Sequence, residues 1–229
     1  MSNEDLSRRE ALSGGTAAVL AGLGVAAAAA TFGGEAHAQT SASDAAKLNT
    51  LLRAEYDAIL TYGIAETYLM SPDGSDAQRA QAATVREVVS YFKEHHTAHA
   101  ARLSTLVTTL GGTPVGRGEV LQATIPTGFR ATVSNLIKLA ANKEKKAAIE
   151  YVRALQTIST ATAADLVAAV GGVEAQHFIA LYLVGKGVFE IQAMMPMVQA
   201  LSPRPFVSLA DASATGSTLA GLDNIPFRT

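Results

Sequence analysis

The sequence has no cysteine, which excludes a disulfide framework, a thiolate zinc site and a cysteine nucleophile. Tryptophan is absent too, and aromatic residues make up only 6% of the chain. Strands draw on aromatic and β-branched side chains, so a composition led by alanine and leucine points to helices. A charge excess is also missing: the formal charge over 229 residues is −2. Residues 1–38 hold Arg8 and Arg9 and the four acids Glu4, Asp5, Glu10 and Glu35, so from Gln39 onward 16 basic residues stand against 16 acidic ones. Phosphate binding needs a basic surplus, so a neutral chain argues against nucleic acid as a partner. The run Lys143, Lys145, Lys146 reads more simply as a solvated helix face. No Ser-His-Asp order, phosphate-binding glycine loop or zinc-protease motif supports hydrolysis. What is present is enough chain for one domain with a substantial core.

The N-terminus carries an address. Ser7-Arg8-Arg9-Glu10-Ala11-Leu12 precedes a Gly/Ala-rich apolar stretch from Gly14 to Phe32, and Ala36-His37-Ala38 offers a small-x-small cleavage site. This resembles a twin-arginine signal peptide spanning residues 1–38. The stretch is short and poor in Leu and Ile for a membrane anchor. The resemblance implies export of a folded protein to the bacterial periplasm, with no membrane attachment after cleavage.

From Asp44 the apolar residues recur at helical spacing. Leu48, Leu52, Ile59 and Tyr62 mark a first helix, which Ser71-Pro72-Asp73-Gly74 should end. Asp76 can cap a second helix striped by Val85, Val89, Phe92, Leu103, Leu106 and Leu110, and Gly111-Gly112-Thr113-Pro114 stops it. A connection without steady period runs to Arg130. A short helix over Thr132–Ala141 and a third long one, capped by Asn142 and reaching Thr160, are expected next. The fourth starts near Thr162, with Ala163, Val167, Val170, Leu181, Val184 and Val188 on one face. After Met197 the prolines and Gly/Ser/Ala content predict an irregular tail (198–229), leaving 39–197 as the folded domain. Two short turns and one long connection describe an all-α four-helix bundle with a single crossover between helices 2 and 3.

Polar residues interrupt these stripes. Glu55 stands between Leu52 and Ile59, His96 and His99 between Phe92 and Leu103, Glu150 between Ala147 and Ala154, and Glu174 and His177 between Val170 and Leu181. One ionised carboxylate in an apolar core costs several kcal/mol, and three carboxylates with three imidazoles call for a shared counter-charge that metal ions supply. Residues three apart project from one helix face, so His96/His99 and Glu174/His177 can each offer two ligands. Counted from Thr162, Glu150 and Glu174 are equidistant. Taken singly, the residues have plainer readings: Glu55 as a half-exposed acid beside Arg53 or Tyr62, His96 as a hydrogen-bonded core histidine, Glu150 as a surface acid paired with Lys146. His95 and Glu94 fall off the stripe and Glu66 is peripheral. Tyr62 and Tyr151 can donate to the carboxylates, and Gly171-Gly172 reads as a kink aiming Glu174. Met194, Met195 and Met197 read as core filler.

One Glu, a two-ligand i, i+3 pair, one Glu and a Glu-x-x-His resembles the ferritin-like superfamily of di-iron carboxylate proteins. The pattern is most similar to its exported members related to plant desiccation-associated proteins. The segment Gly172-Val173-Glu174-Ala175-Gln176-His177-Phe178 carries the fourth-helix motif, and the likeness extends over Leu48 to Val188. His96-Thr97-Ala98-His99 departs from the family's Glu-x-x-His on the second helix. The resemblance implies two metal ions held by Glu55, His96, His99, Glu150, Glu174 and His177, with iron as first choice and manganese or zinc as alternatives. It implies an oxidoreductase acting on oxygen or peroxide in stress protection. A non-catalytic bundle stapled by metal, and a metal-free helical interaction module, stay open, as does a homo-oligomer.

Overall fold

The computed structural model describes residues 26–70, 72, 75–188 and 190–206, with only the backbone described for 26–39 and Asp76. The chain divides into two compact units, residues 1–38 and Gln39–Thr229, and the side-chain contacts described below lie within the second. The expected signal segment falls on residues 1–25, outside the described residues, and on 26–38, where the backbone is helical.

Among the described residues there is no strand. Helix α1 spans Ala26–Met70, α2 Asp76–Thr109, α3 Val133–Leu155, α4 Ala161–Gly185 and α5 Met194–Leu201. The first turn is set by Ser75, not Asp76. Ser75 accepts the Gln78 N–H while the Gln78 side chain accepts the Ser75 N–H, a capping box. Ser71, Asp73 and Gly74 lie outside the described residues. The second helix ends where Gly111 takes a positive φ of 79°, a conformation glycine adopts without steric cost. Residues 133–155 form one helix where two were expected. Thr132 caps it through the Asn135 N–H, and Asn142 lies inside it, since a single Asn costs a helix only a few tenths of a kcal/mol. The segment expected to be irregular from residue 198 continues α5 to Leu201.

Contacts at successive depths give the helix directions. Between α1 and α2, Glu66 meets Lys93 and Ser90, Tyr62 meets Phe92, and Glu55 meets His96. Between α1 and α3, Tyr62 meets Glu144, Tyr151 meets Glu55, and Asp44 meets Ser159 just beyond α3. Between α2 and α4, Phe92 stacks on His177 and His99 lies beside Glu174. Each pair is antiparallel, which makes α2 and α3 parallel and requires the crossover that residues 110–132 provide.

The apolar core is in two parts. One gathers Tyr62, Leu69, Val89, Phe92, Leu181 and Met194. The other gathers Leu48, Leu52, Leu103, Val107, Tyr151 and Val170. Each fully buried Leu or Phe contributes about 1.5–3 kcal/mol, so these clusters hold the bundle together. Between them runs a layer of buried carboxylates and imidazoles.

Candidate metal centre

Each helix of the bundle contributes to that layer: Glu55 from α1, His96 and His99 from α2, Glu144 from α3, Glu174 and His177 from α4. None is more than 2% exposed. His96 is at the centre. Its Nδ1 lies 2.7 Å from Glu55 Oε2 and 3.6 Å from Glu174 Oε1, and its Nε2 lies 3.1 Å from Glu144 Oε1. His99 Nδ1 is 3.0 Å from Glu174 Oε1 and 3.5 Å from Glu55 Oε2. His177 Nδ1 is 3.4 Å from Glu144 Oε2. Two tyrosines close the flanks: Tyr151 donates to Glu55 Oε1 and Tyr62 to Glu144 Oε1.

Burial and charge work against each other throughout the layer. Burial opposes ionisation of Glu55, yet His99 and His96 beside it outweigh that and hold its carboxyl down to about 2. Glu144 is likewise held well below the carboxylate range, against burial, by His96 and His177. Glu174 goes the other way: burial, with Glu144 and Glu55 close by, pushes it well above the usual range even though His96 opposes. His96 resists burial because three carboxylates surround it, and it rises well above 6.5. His99 rises to about 9 through Glu55 and Glu174, again against burial. His177 falls to about 4, chiefly by burial.

Five buried atoms converge here without a hydrogen-bond partner: His99 Nδ1, Glu144 Oε2, both Glu174 oxygens and His177 Nδ1. An unpaired buried polar atom costs about 1–3 kcal/mol. These orphans are all lone-pair donors to a cation, so the residues present fit metal ions. They form two overlapping four-residue sets, Glu55/His96/His99/Glu174 and His96/Glu144/Glu174/His177. The ligand atoms of each set lie within 4.8 Å of one another.

The family model of the ferritin-like domain matches residues 43–183, more than half the chain. The protein belongs to this family. No curated protein and no solved structure matches the chain. The ferritin-like match begins at the start of the α1 core stripe and ends within α4, so it contains every residue of the layer and excludes α5 and the segment C-terminal to it.

Within this ferritin-like bundle the structure brings together Glu55, His96, His99, Glu174 and His177. Glu150 is elsewhere. It is about one-third exposed and pairs with Lys146 at 3.5 Å, and Glu144 occupies the α3 position in its stead. The reason is the hairpin. Residues 156–160 are not helical, so depth must be counted from Leu155 and Ala161 rather than from Thr162. Glu144 is then 11 residues before the end of α3 and Glu174 13 residues into α4, level to within about 3 Å at 1.5 Å per residue. Glu150 would be some 12 Å off. The signal for Glu144 was its spacing of seven from both Ile137 and Tyr151 along the buried face of α3. Dividing that helix at Asn142 hides it.

Two further groups belong to the site. His95 is buried, and its Nδ1 lies 3.0 Å from His177 Nε2. Its ring also lies beside that of Tyr91, with centroids 4.5 Å apart. The α4 glycine Gly171 serves close approach. A Cβ there would stand 2.9 Å from the Tyr151 Cβ, so its absence lets α3 set the Tyr151 hydroxyl on Glu55. Met194 is buried in the core and Met195 and Met197 pack against it.

Proposed function

We propose that this ferritin-like domain is a binuclear metal protein, with iron as the resident metal, acting on oxygen or peroxide in the bacterial periplasm. The observation that carries the metal reading is the convergence of five unpartnered buried donor atoms from three helices. A pair of iron ions held there would supply one-electron chemistry and open coordination positions for a small oxygen species. Glu174 is the carboxylate common to both ligand sets and would be available to either ion. Glu55 and Glu144 flank it, each with one oxygen tied to a tyrosine hydroxyl and the other turned toward the histidines. His99 and His177, each with an unpartnered Nδ1, would add imidazole ligands.

The histidine at position 96 sets the charge. Three carboxylates leave two divalent ions with a net surplus of one positive charge, where four would neutralise them. This chain therefore favours the less oxidised state of the pair. Access is on the α1–α3 side. A cavity of about 280 Å³ there is lined by Ala54, Ala58, Leu139 and Ala147, with His96 and Glu144 in its wall. At about 30 Å³ per water it has ample room for peroxide. Export rests on Arg8-Arg9 and the Ala36-His37-Ala38 site, and a role in oxidative or desiccation stress rests on kinship alone.

A metal-free bundle is the second reading, and one observation favours it. Both nitrogens of His96 face carboxylates, which accept but do not donate when ionised, so a doubly protonated His96, together with a protonated His99, can supply counter-charge to Glu55 and Glu144 in place of a metal.

Elemental analysis of protein purified from its own periplasm separates the two. The expected result is two iron or manganese ions per chain, lost in Glu144→Ala and His177→Ala and retained in Glu150→Ala. No metal in the parent, with melting unchanged by added Fe(II), Mn(II) or Zn(II), would leave the histidinium reading.

A further inference from the structure

Residues Ser202–Phe206 follow α5 and lie outside the ferritin-like match, yet they reach the metal centre. Ser202 is buried, and its carbonyl accepts the Tyr91 hydroxyl of α2 at 2.8 Å. Three residues on, the Pro205 carbonyl lies 2.5 Å from His99 Nε2. The Phe206 ring stands edge-on to the His99 imidazole, with centroids 5.4 Å apart at 64°, and packs on the Leu48–Val170 core. The segment is a strap anchored at Ser202 and seated on His99.

The chemistry of that seat is one-sided. A carbonyl oxygen only accepts, so His99 Nε2 must carry the hydrogen. The neutral ring then has its lone pair on Nδ1, the atom that faces Glu174 and Glu55 and has no partner of its own. Metal-ligating histidines are held in this way, the outer nitrogen donating to a fixed acceptor. His177 is held from within the bundle, by His95. The corresponding acceptor for His99 comes from the strap.

We propose that Ser202–Phe206 is a working part of the metal centre, positioning His99 as an Nδ1 ligand through the Pro205 carbonyl and the Phe206 ring. The proposal rests on the binuclear reading of the site. Outer partners of ligating histidines are worth about 10–100-fold in metal affinity, so releasing the strap should weaken binding by that factor while the helices stay folded.

The experiment uses the full chain. Tyr91→Phe with Phe206→Ala removes the anchor hydroxyl and the ring and leaves every ligand in place; a second variant ends the chain at Leu201. Cobalt(II) serves as the probe, its visible absorption reporting stoichiometry and its loss to a chelator reporting affinity. Nitrogen NMR of the imidazoles in the metal-free protein near pH 10 reports the His99 tautomer. The expected result is two cobalt ions per chain in the parent and at least tenfold faster loss in both variants. Helical circular dichroism should be unchanged, and His99 should pass from the Nε2–H form to a mixture. A parent that binds cobalt, beside variants that hold it equally well with the tautomer unmoved, overturns the strap and leaves the metal reading standing. A parent that binds no cobalt overturns both.

Discussion

His99 and His96 are the residues at which pH and metal meet. In the metal-free protein His99 titrates at about 9 and His96 well above 6.5, and the Glu174 carboxyl is raised above its usual range. At pH 7 His99 therefore carries a proton that a metal must displace, and the upward shifts of His96 and Glu174 act in the same direction. Calorimetry of metal binding at pH 7, repeated in buffers of different ionisation enthalpy, should therefore show release of at least about one proton per chain. No release would mean that these groups are not the ligands. The effect on stability has the opposite sign. A histidine whose pKa is raised to about 9 on folding stabilises the metal-free protein below 6.5, and that contribution is lost as pH rises through 9. Metal affinity grows over the same interval, so the melting gap between loaded and metal-free protein should widen from pH 6.5 to 9. Five of the six layer residues were legible from sequence because a charge inside an apolar stripe stands out at any depth. The sixth depended on where a turn lies, and stripes do not record that.

At the scale of helices, two tertiary contacts decide details that local sequence cannot. Thr160 stands at the N-cap of α4 but makes no side-chain cap. Asp44, from α1, accepts the backbone N–H groups of Ser159 and Thr160 at 3.0 and 2.8 Å instead. Those N–H groups hold its carboxyl below the usual range against the effect of burial. Asp44→Ala should cost about 1–2 kcal/mol, the size of a lost cap, in urea unfolding, with metal content unchanged. A cost of only a few tenths would show that water replaces Asp44. Gly171 is the second case. Alanine is the better helix former by about 1 kcal/mol, but a Cβ 2.9 Å from that of Tyr151 must push α3 and α4 apart. Gly171→Ala is expected to destabilise by about 1–3 kcal/mol net and to weaken the Tyr151–Glu55 contact. Greater stability in urea would contradict the close approach. Taken by itself, a glycine pair in a helix suggests a bend; the partner that makes it necessary is 20 residues away. The helices themselves, the two short turns and the crossover were legible, because stripe, cap and breaker are local signals. The splitting of α3 at Asn142 was the exception, since one polar residue with weak helix propensity does not end a helix whose apolar face continues.

At the scale of the whole bundle, the described residues form two apolar cores with an ionisable layer between them. The layer's own residues run from Glu55 to His177, and the strap extends its reach to Phe206. Neither hairpin contains a complete ligand set: each four-residue set draws on both. Helix hairpins are local and form early, whereas contacts between hairpins wait for the long crossover to close. An ion that needs both hairpins thus reports on the last event of folding. A chain halted halfway would offer such an ion no nest, and a chain that held it would have finished, so on the metal reading metal content would serve as a proofreading mark of native assembly.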